Sequence, residues 1–266
     1  MRSHAVNSLW KMSVRSLRPD PGPGCGLFAF FYVIGERMPE STEAAERRFG
    51  TRLVRVYPAG PSAPAVYCSD YVESGEKVIE ECRRLGAPAF SLVTVSNLSW
   101  DADLSPWPHG PVVSREDDFR GLAGDYLRFL LDEVIPYADS VTGGTPSARH
   151  IAGYSMAGLF AIWSLFETKI FESAAAPSGS LWYPGFRDFF MEHDFAGKPR
   201  RVYFSIGNRE TRTRNQYIRQ NADIMKELSA ECLRRGSESL FEENSGNHFV
   251  DSELRTAKGI CWILGK

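Results

Sequence analysis

The sequence has no long apolar run and no excess of charge of one sign. Its 266 residues include 31 lysines and arginines against 33 aspartates and glutamates, a formal net charge of −2. This balance indicates neither a nucleic-acid partner nor binding to an anionic membrane surface. No apolar stretch reaches transmembrane length, and Lys11 and Arg15 interrupt the segment after Arg2 where a signal peptide would lie. We therefore expect a cytoplasmic protein that does not contact a membrane.

Cysteine pairs are also lacking. The five cysteines are odd in number, scattered and without any Cys-x-x-Cys spacing: Cys25, Cys68, Cys82, Cys232 and Cys261. This pattern argues against a disulfide framework and against a zinc site, and it favours a reducing compartment. We expect no metal and no cofactor.

The chain alternates short apolar runs with segments of helical periodicity. Residues 1–24 lack a clear period and end in a Pro/Gly-rich stretch, so we interpret them as a leader and residues 25–266 as a single domain. Strands are predicted at 27–34, 52–57, 65–68, 90–95, 171–176, 201–206 and 239–242, and near 149. Helices are predicted at 40–48, 74–85, 118–137, 215–235 and 250–264, and after residue 155. This alternation predicts an α/β fold with a mostly parallel central sheet and helices on both faces.

The strand near residue 149 leads into a Gly-x-Ser-x-Ala-Gly turn and then an apolar helix. Small residues occupy Gly153, Ala157 and Gly158 around Ser155, as a tight strand-to-helix turn requires. Such a turn exposes the serine hydroxyl above the sheet and points the amides at the start of the helix toward it. Because this motif also occurs by chance, its assignment depends on finding an acid and a histidine later in the chain.

A serine nucleophile needs a base, and the base needs a group that fixes its tautomer. Of the five histidines, only His248 lies in a Gly-containing loop after the last predicted strand; the others are His4, His109, His150 and His193. Glu210 follows the strand-ending Gly207 on the penultimate strand, and Glu242 or Glu243 is the alternative acid. The sequence predicts Ser155 as nucleophile, His248 as base and Glu210 as acid, which is the α/β-hydrolase order.

Two backbone amides and several loop side chains complete the predicted site. The amides of Met156 and Tyr71 are expected to form the oxyanion hole, because one follows the nucleophile and the other lies in the loop after the 65–68 strand. Aromatic and cationic side chains near the same sheet end are candidates for substrate binding: Trp100, Trp107, Trp182 and Arg212. Packing of the tryptophans onto the body and solvation of the arginine are the alternatives.

The chain resembles the Putative esterase family of α/β hydrolases, which includes esterase D, the enterobactin-type siderophore esterases and the mycolyltransferases. The siderophore-esterase branch is most similar. Five segments over about residues 50 to 260 carry the resemblance: 67–71, 153–160, 176–183, 207–210 and the loop of His248. One departure is Ser69-Asp70-Tyr71, where the family usually has Leu-Asp-Gly.

The resemblance and the residues together predict a serine esterase acting on a small-molecule carboxylic ester, of aryl or siderophore type. Two alternatives stay open: acyl transfer to an alcohol, and a non-catalytic binding protein on a hydrolase scaffold. The sequence indicates no nucleic-acid partner and leaves the oligomeric state undetermined.

Overall fold

A computed structural model describes residues 43–71 and 73–266 of the chain. The predicted leader 1–24, the predicted strand 27–34 and His4 lie outside the described residues.

Within the described residues, eight strands form one sheet in the order β1-β2-β4-β3-β5-β6-β7-β8. Only β2 runs against its two neighbours, and every pairing from β4 to β8 is parallel. The strands are β1 Ala45–Phe49, β2 Arg52–Tyr57, β3 Ala65–Ser69, β4 Ser91–Ser96, β5 Arg149–Gly153, β6 Ser173–Pro177, β7 Arg201–Gly207 and β8 Glu238–Asn244. This mostly parallel sheet with helices on both faces is the α/β-hydrolase fold.

Helices cover both faces because the central strands are apolar on both sides. All six residues of β4 and all five of β6 are buried, as expected for strands between two helical layers. The helices are α1 Gly75–Arg84, α2 Trp100–Leu104, α3 Ala123–Phe129, α4 Ile135–Thr142, α5 Met156–Glu167, α6 Phe186–Glu192, α7 Gln216–Arg219, α8 Asn221–Arg234 and α9 Ser252–Ile263.

In the part of the chain that the structure describes, two hydrophobic clusters fill the space between the sheet and the helices on its two faces. The larger joins one face of the sheet to α3, α5, α6 and α8, with Tyr126, Phe160 and Phe190 fully buried. The smaller packs α1 and α9 on the other face through Ile79 and Ile260. The last helix therefore lies directly behind the strands that carry the site.

The structure corrects three of the predicted elements. The helical turns expected at 40–48 are wrong for the described part, because Ala45–Phe49 is a strand that pairs with β2 around Gly50; this pairing overrides the helical composition. The helix predicted at 118–137 begins at Ala123 and continues to Thr142 through a π-helical turn, Leu130–Val134. The helix predicted at 215–235 is two helices that divide at Gln220.

Candidate active site

Ser155 lies on the tight turn between β5 and α5. Its backbone has φ 59° and ψ −124°, a conformation that a non-glycine residue adopts at a cost. The turn places the hydroxyl above the carboxyl end of β5. This strained strand-to-helix turn is the geometry of a nucleophile elbow.

Small residues surround this turn because the backbone segments nearly touch. A Cβ on Gly153 would collide with the backbone of Ala157. A Cβ on Gly158 would lie 2.8 Å from both the Gly153 carbonyl oxygen and the Gly179 Cα. Glycine at both positions therefore allows α5 to pack against the sheet.

The loops after β5, β7 and β8 bring Ser155, Glu210 and His248 together. Nε2 of His248 lies 3.1 Å from Oγ of Ser155, and Nδ1 lies 2.8 Å from Oε2 of Glu210. With Nδ1 protonated, His248 donates to the carboxylate and accepts from the serine hydroxyl. The structure thus brings the three predicted side chains into one hydrogen-bonded chain.

Glu210 is almost fully buried, with 5% of its side chain exposed. Burial alone raises the pKa of this carboxyl, but the hydrogen bond and charge of His248, with further bonds from Ser178 and Gly207, bring the pKa below its usual value. Oε1 accepts from Ser178 Oγ at 2.8 Å and from the Gly207 amide at 2.6 Å. The carboxylate is therefore ionised and oriented near neutral pH.

The competing acids and histidines lie elsewhere in the described residues. Of the two alternative acids, Glu242 accepts from Tyr203 and Lys258, and Glu243 is exposed. His109 and His193 are exposed. Burial lowers the pKa of His150 to about 4, with Arg200 and Arg201 adding to the shift. Only His248 among the described histidines reaches Ser155.

Sequence reasoning missed Arg255, which lies on α9 and is only 1% exposed. Its Nη1 donates to Glu210 Oε1 at 2.8 Å, on the side of the carboxylate away from His248. The only sequence signal for the burial of Arg255 is its spacing. It lies four residues before Gly259 and therefore on the same, buried face of α9.

The two residues that carry the predicted oxyanion amides adjoin Ser155 in different ways. Met156 is the first residue of α5, so its amide has no acceptor within the helix. Ser69 pairs with Gly153 in the β3–β5 register, and Tyr71 and Ser155, each two residues further along the chain, line one cavity. Asp70 accepts from Ser74 Oγ at 3.1 Å and donates its amide to Val95. The loop after β3 is thus adjacent to the serine.

A cavity of about 660 Å³ opens over Ser155 and His248. This volume suits a small organic molecule. Tyr71, Trp100 and Phe249 line it, and the Tyr71 and Trp100 rings contact edge to face with centroids 5.1 Å apart. Tyr71 is 72% and Phe249 88% exposed. The mouth is therefore an apolar, aromatic surface.

Three predicted substrate-binding residues are not among the described residues that line this cavity. Trp107 packs on Tyr183 and Phe189 and donates to the Pro184 carbonyl at 3.0 Å. Trp182 is buried in the larger core cluster, and Arg212 is exposed. Of the four predicted substrate contacts, only Trp100 faces the cavity.

The family model described as Putative esterase matches residues 43–251. The chain belongs to the Putative esterase family. It is accordingly an esterase. The residues matched by the family model include every strand and loop of the site described above. Within the described residues, no cluster of histidine, cysteine or acidic side chains could hold a metal ion. No helix there combines the length and apolarity that spanning a membrane requires.

One curated relative and several solved structures are similar to this esterase at low identity. The Bacillus subtilis (strain 168) protein YbbA, described as uncharacterized, is 24% identical over 240 residues, covering 84% of this chain and 95% of YbbA. The siderophore hydrolase EstA from Aspergillus nidulans superposes with a TM-score of 0.65 at 21% identity, covering 84% of this chain and 93% of EstA. An IroE-like serine hydrolase from Shewanella oneidensis gives 0.64 at 20%, covering 83% and 79%.

Proposed function

We propose that this esterase hydrolyses carboxylic esters through a Ser155–His248–Glu210 triad. One observation carries the proposal: the His248 ring lies within hydrogen-bond distance of both Ser155 Oγ and Glu210 Oε2. Glu210 is nearly buried and ionised, so it can stabilise the imidazolium that forms when His248 takes a proton.

The reaction would proceed in two steps. His248 Nε2 takes the proton of Ser155 as Oγ attacks the ester carbonyl, and it then protonates the departing alcohol. Water, deprotonated by the same nitrogen, next attacks the acyl-enzyme, and the acid leaves as His248 returns the proton to Ser155 Oγ. The amides of Met156 and Tyr71 would hold the oxyanion in both steps, since Met156 follows Ser155 at the start of α5 and Tyr71 lines the same cavity as Ser155.

The proposed substrate is a small-molecule ester with an aryl group, of the kind found in aryl-type siderophores. Tyr71, Trp100 and Phe249 supply an aromatic surface at the mouth of the cavity. Flat rings stack against such surfaces. EstA, which has a similar fold, is named a siderophore hydrolase, and this supports the siderophore part of the choice.

Labelling with a fluorophosphonate, followed by peptide mass mapping, tests the nucleophile. The wild-type protein should gain one adduct on the peptide containing Ser155, and Ser155→Ala should gain none while keeping its melting temperature. Labelling at another serine, or no labelling of a folded wild-type protein, would contradict the mechanism. A parallel panel of short-chain p-nitrophenyl esters, aryl esters and a catecholate siderophore tests the substrate, with the highest kcat/KM expected for esters that carry an aryl group.

A further inference from the structure

Arg255 is a fully buried cation whose contacts all lie behind the proposed triad. Burying a guanidinium is costly unless it is paired and hydrogen-bonded. Its Nη1 donates to Glu210 Oε1 at 2.8 Å, to Ser178 Oγ at 3.1 Å and to Tyr154 Oη at 3.2 Å. Its Nη2 donates to the Ser245 carbonyl oxygen at 2.7 Å. The planar fork of an arginine can reach these four acceptors, whereas a lysine cannot reach all of them.

The first consequence is that the two carboxylate oxygens of Glu210 have different hydrogen-bond partners. Oε1 accepts from Arg255, from Ser178 and from the Gly207 amide, whereas Oε2 faces His248. Three donors on one oxygen fix the rotation of the carboxylate, so the other oxygen points at Nδ1 of His248. A Cβ on Gly207 would lie 2.9 Å from both Arg255 Nη2 and Glu210 Oε1, so glycine there allows this close packing.

The second consequence is a tie between the loops. The bond to Ser245 holds the chain after β8, three residues before His248. The Tyr154 hydroxyl accepts from Arg255 and donates to the His248 carbonyl oxygen at 2.8 Å. Burial raises the pKa of Tyr154, so this hydroxyl keeps its proton near neutral pH. One guanidinium thus connects the elbow, the acid loop and the histidine loop.

We propose that Arg255 is a positioning residue of this esterase, which fixes Glu210 against His248 and ties the histidine loop to the nucleophile elbow. The inference rests on the proposed function, because it assigns Arg255 an effect that passes through Glu210 and His248. Arg255 contacts neither the cavity nor Ser155 Oγ in the described structure.

Removal of this cation should change the pH dependence as well as the rate. Without Arg255, Glu210 would take up a proton more readily. Among the described residues, the ionised carboxylate of Glu210 would then have the imidazolium of His248 as its one cationic neighbour. Both effects raise the acidic midpoint, which is the pH below which kcat/KM falls to less than half of its plateau value. A residue that only supports the fold would lower the melting temperature and leave that midpoint unchanged.

The test measures kcat, KM and the acidic midpoint of kcat/KM for a p-nitrophenyl ester in wild type, Arg255→Met and Arg255→Lys. We expect Arg255→Met to lower kcat about a hundredfold, to change KM less than about threefold and to raise the midpoint by about one pH unit. Arg255→Lys should recover part of kcat and reverse part of the midpoint shift, because it restores the charge but not the planar fork of the guanidinium.

Arg235→Met is the matched control. Arg235 is also a mostly buried arginine that binds a carboxylate, Glu231, and the carbonyls of Phe190 and His193, yet it contacts none of the three site loops. Its loss should lower the melting temperature and leave the acidic midpoint unchanged. A wild-type kcat and midpoint in folded Arg255→Met would overturn the proposal.

A double variant keeps the test decisive if Arg255→Met does not fold. Arg255→Met/Glu210→Gln removes both buried charges and so leaves neither charge unpaired. If Arg255 acts mainly through Glu210, the double variant should be more active than two independent losses would give; losses that multiply in full would overturn the proposal. A wild-type protein inactive on every ester and not labelled at Ser155 would refute the proposed function itself, whereas an active wild type with an unshifted Arg255→Met refutes only this inference.

Discussion

The back and the front of the site are built in opposite ways. Glu210 and Arg255, which lie behind His248, are almost completely buried and are held by short hydrogen bonds to several loops. In front of Ser155, Tyr71 and Phe249 are among the most exposed large apolar side chains of the described residues. The back has one well-defined arrangement, whereas the front is an aromatic surface with few fixed contacts.

This contrast has a physical cause. A buried carboxylate requires a full set of donors, so every neighbour of Glu210 is constrained. An aromatic surface gains energy from area and tolerates changes in shape. Changes at the back should therefore alter kcat, and changes at the front should alter KM.

After Arg255, the largest expected effect among the supporting residues is at Ser178, behind Glu210. Ser178→Ala removes one of the three donors to Glu210 Oε1. A hydrogen bond to a charged group contributes about 1.5–3 kcal/mol, so kcat should fall roughly tenfold to a hundredfold with KM little changed. Steady-state kinetics on an aryl ester checks this. A rise in KM at constant kcat would break the division between back and front.

At the front, Trp100→Ala should raise KM for aryl esters about fivefold, or about 1 kcal/mol, with kcat nearly unchanged. Trp100 lines the cavity and contacts Tyr71 edge to face. Trp107→Ala is the matched control, because Trp107 packs on Tyr183 and Phe189 in the body. The control should lower the melting temperature and leave KM unchanged. An equal rise in KM for both variants would show that the cavity extends to Trp107.

The smallest expected effect is at Arg212, which is exposed and is not among the described cavity residues. Arg212→Ala should leave kcat/KM unchanged for neutral and anionic aryl esters of equal size, because a solvated arginine is screened by water and salt. A selective loss for the anionic ester would place Arg212 at the substrate after all.

Chain order made the back of the site partly predictable. Ser155, Glu210 and His248 each follow a strand of a parallel sheet, and the carboxyl ends of parallel strands meet at one edge. Arg255 escaped prediction because it lies within a helix, where an arginine usually faces solvent. Its burial depends on the position of α9 behind the sheet, which local sequence does not encode.

The front was less predictable, because a tryptophan in a loop has the same local sequence signal whether it lines a cavity or packs on the body. Trp100 and Trp107 are seven residues apart in the same connection, yet only Trp100 faces the serine. Their directions depend on α2 and on the ring partners of Trp107 in α6. Residues 45–49 likewise have a helical composition, yet they form a strand because they pair with β2.

The central claim is that Ser155 and His248 act as one unit, and a double-mutant cycle tests it most directly. Turnover of an aryl ester is measured for Ser155→Ala, His248→Ala and the double variant, each with an intact melting transition. Each single change should lower kcat by on the order of a thousandfold or more, and the double variant should be little worse than either. Losses that multiply in the double variant, or near-wild-type turnover by either single variant, would contradict the account.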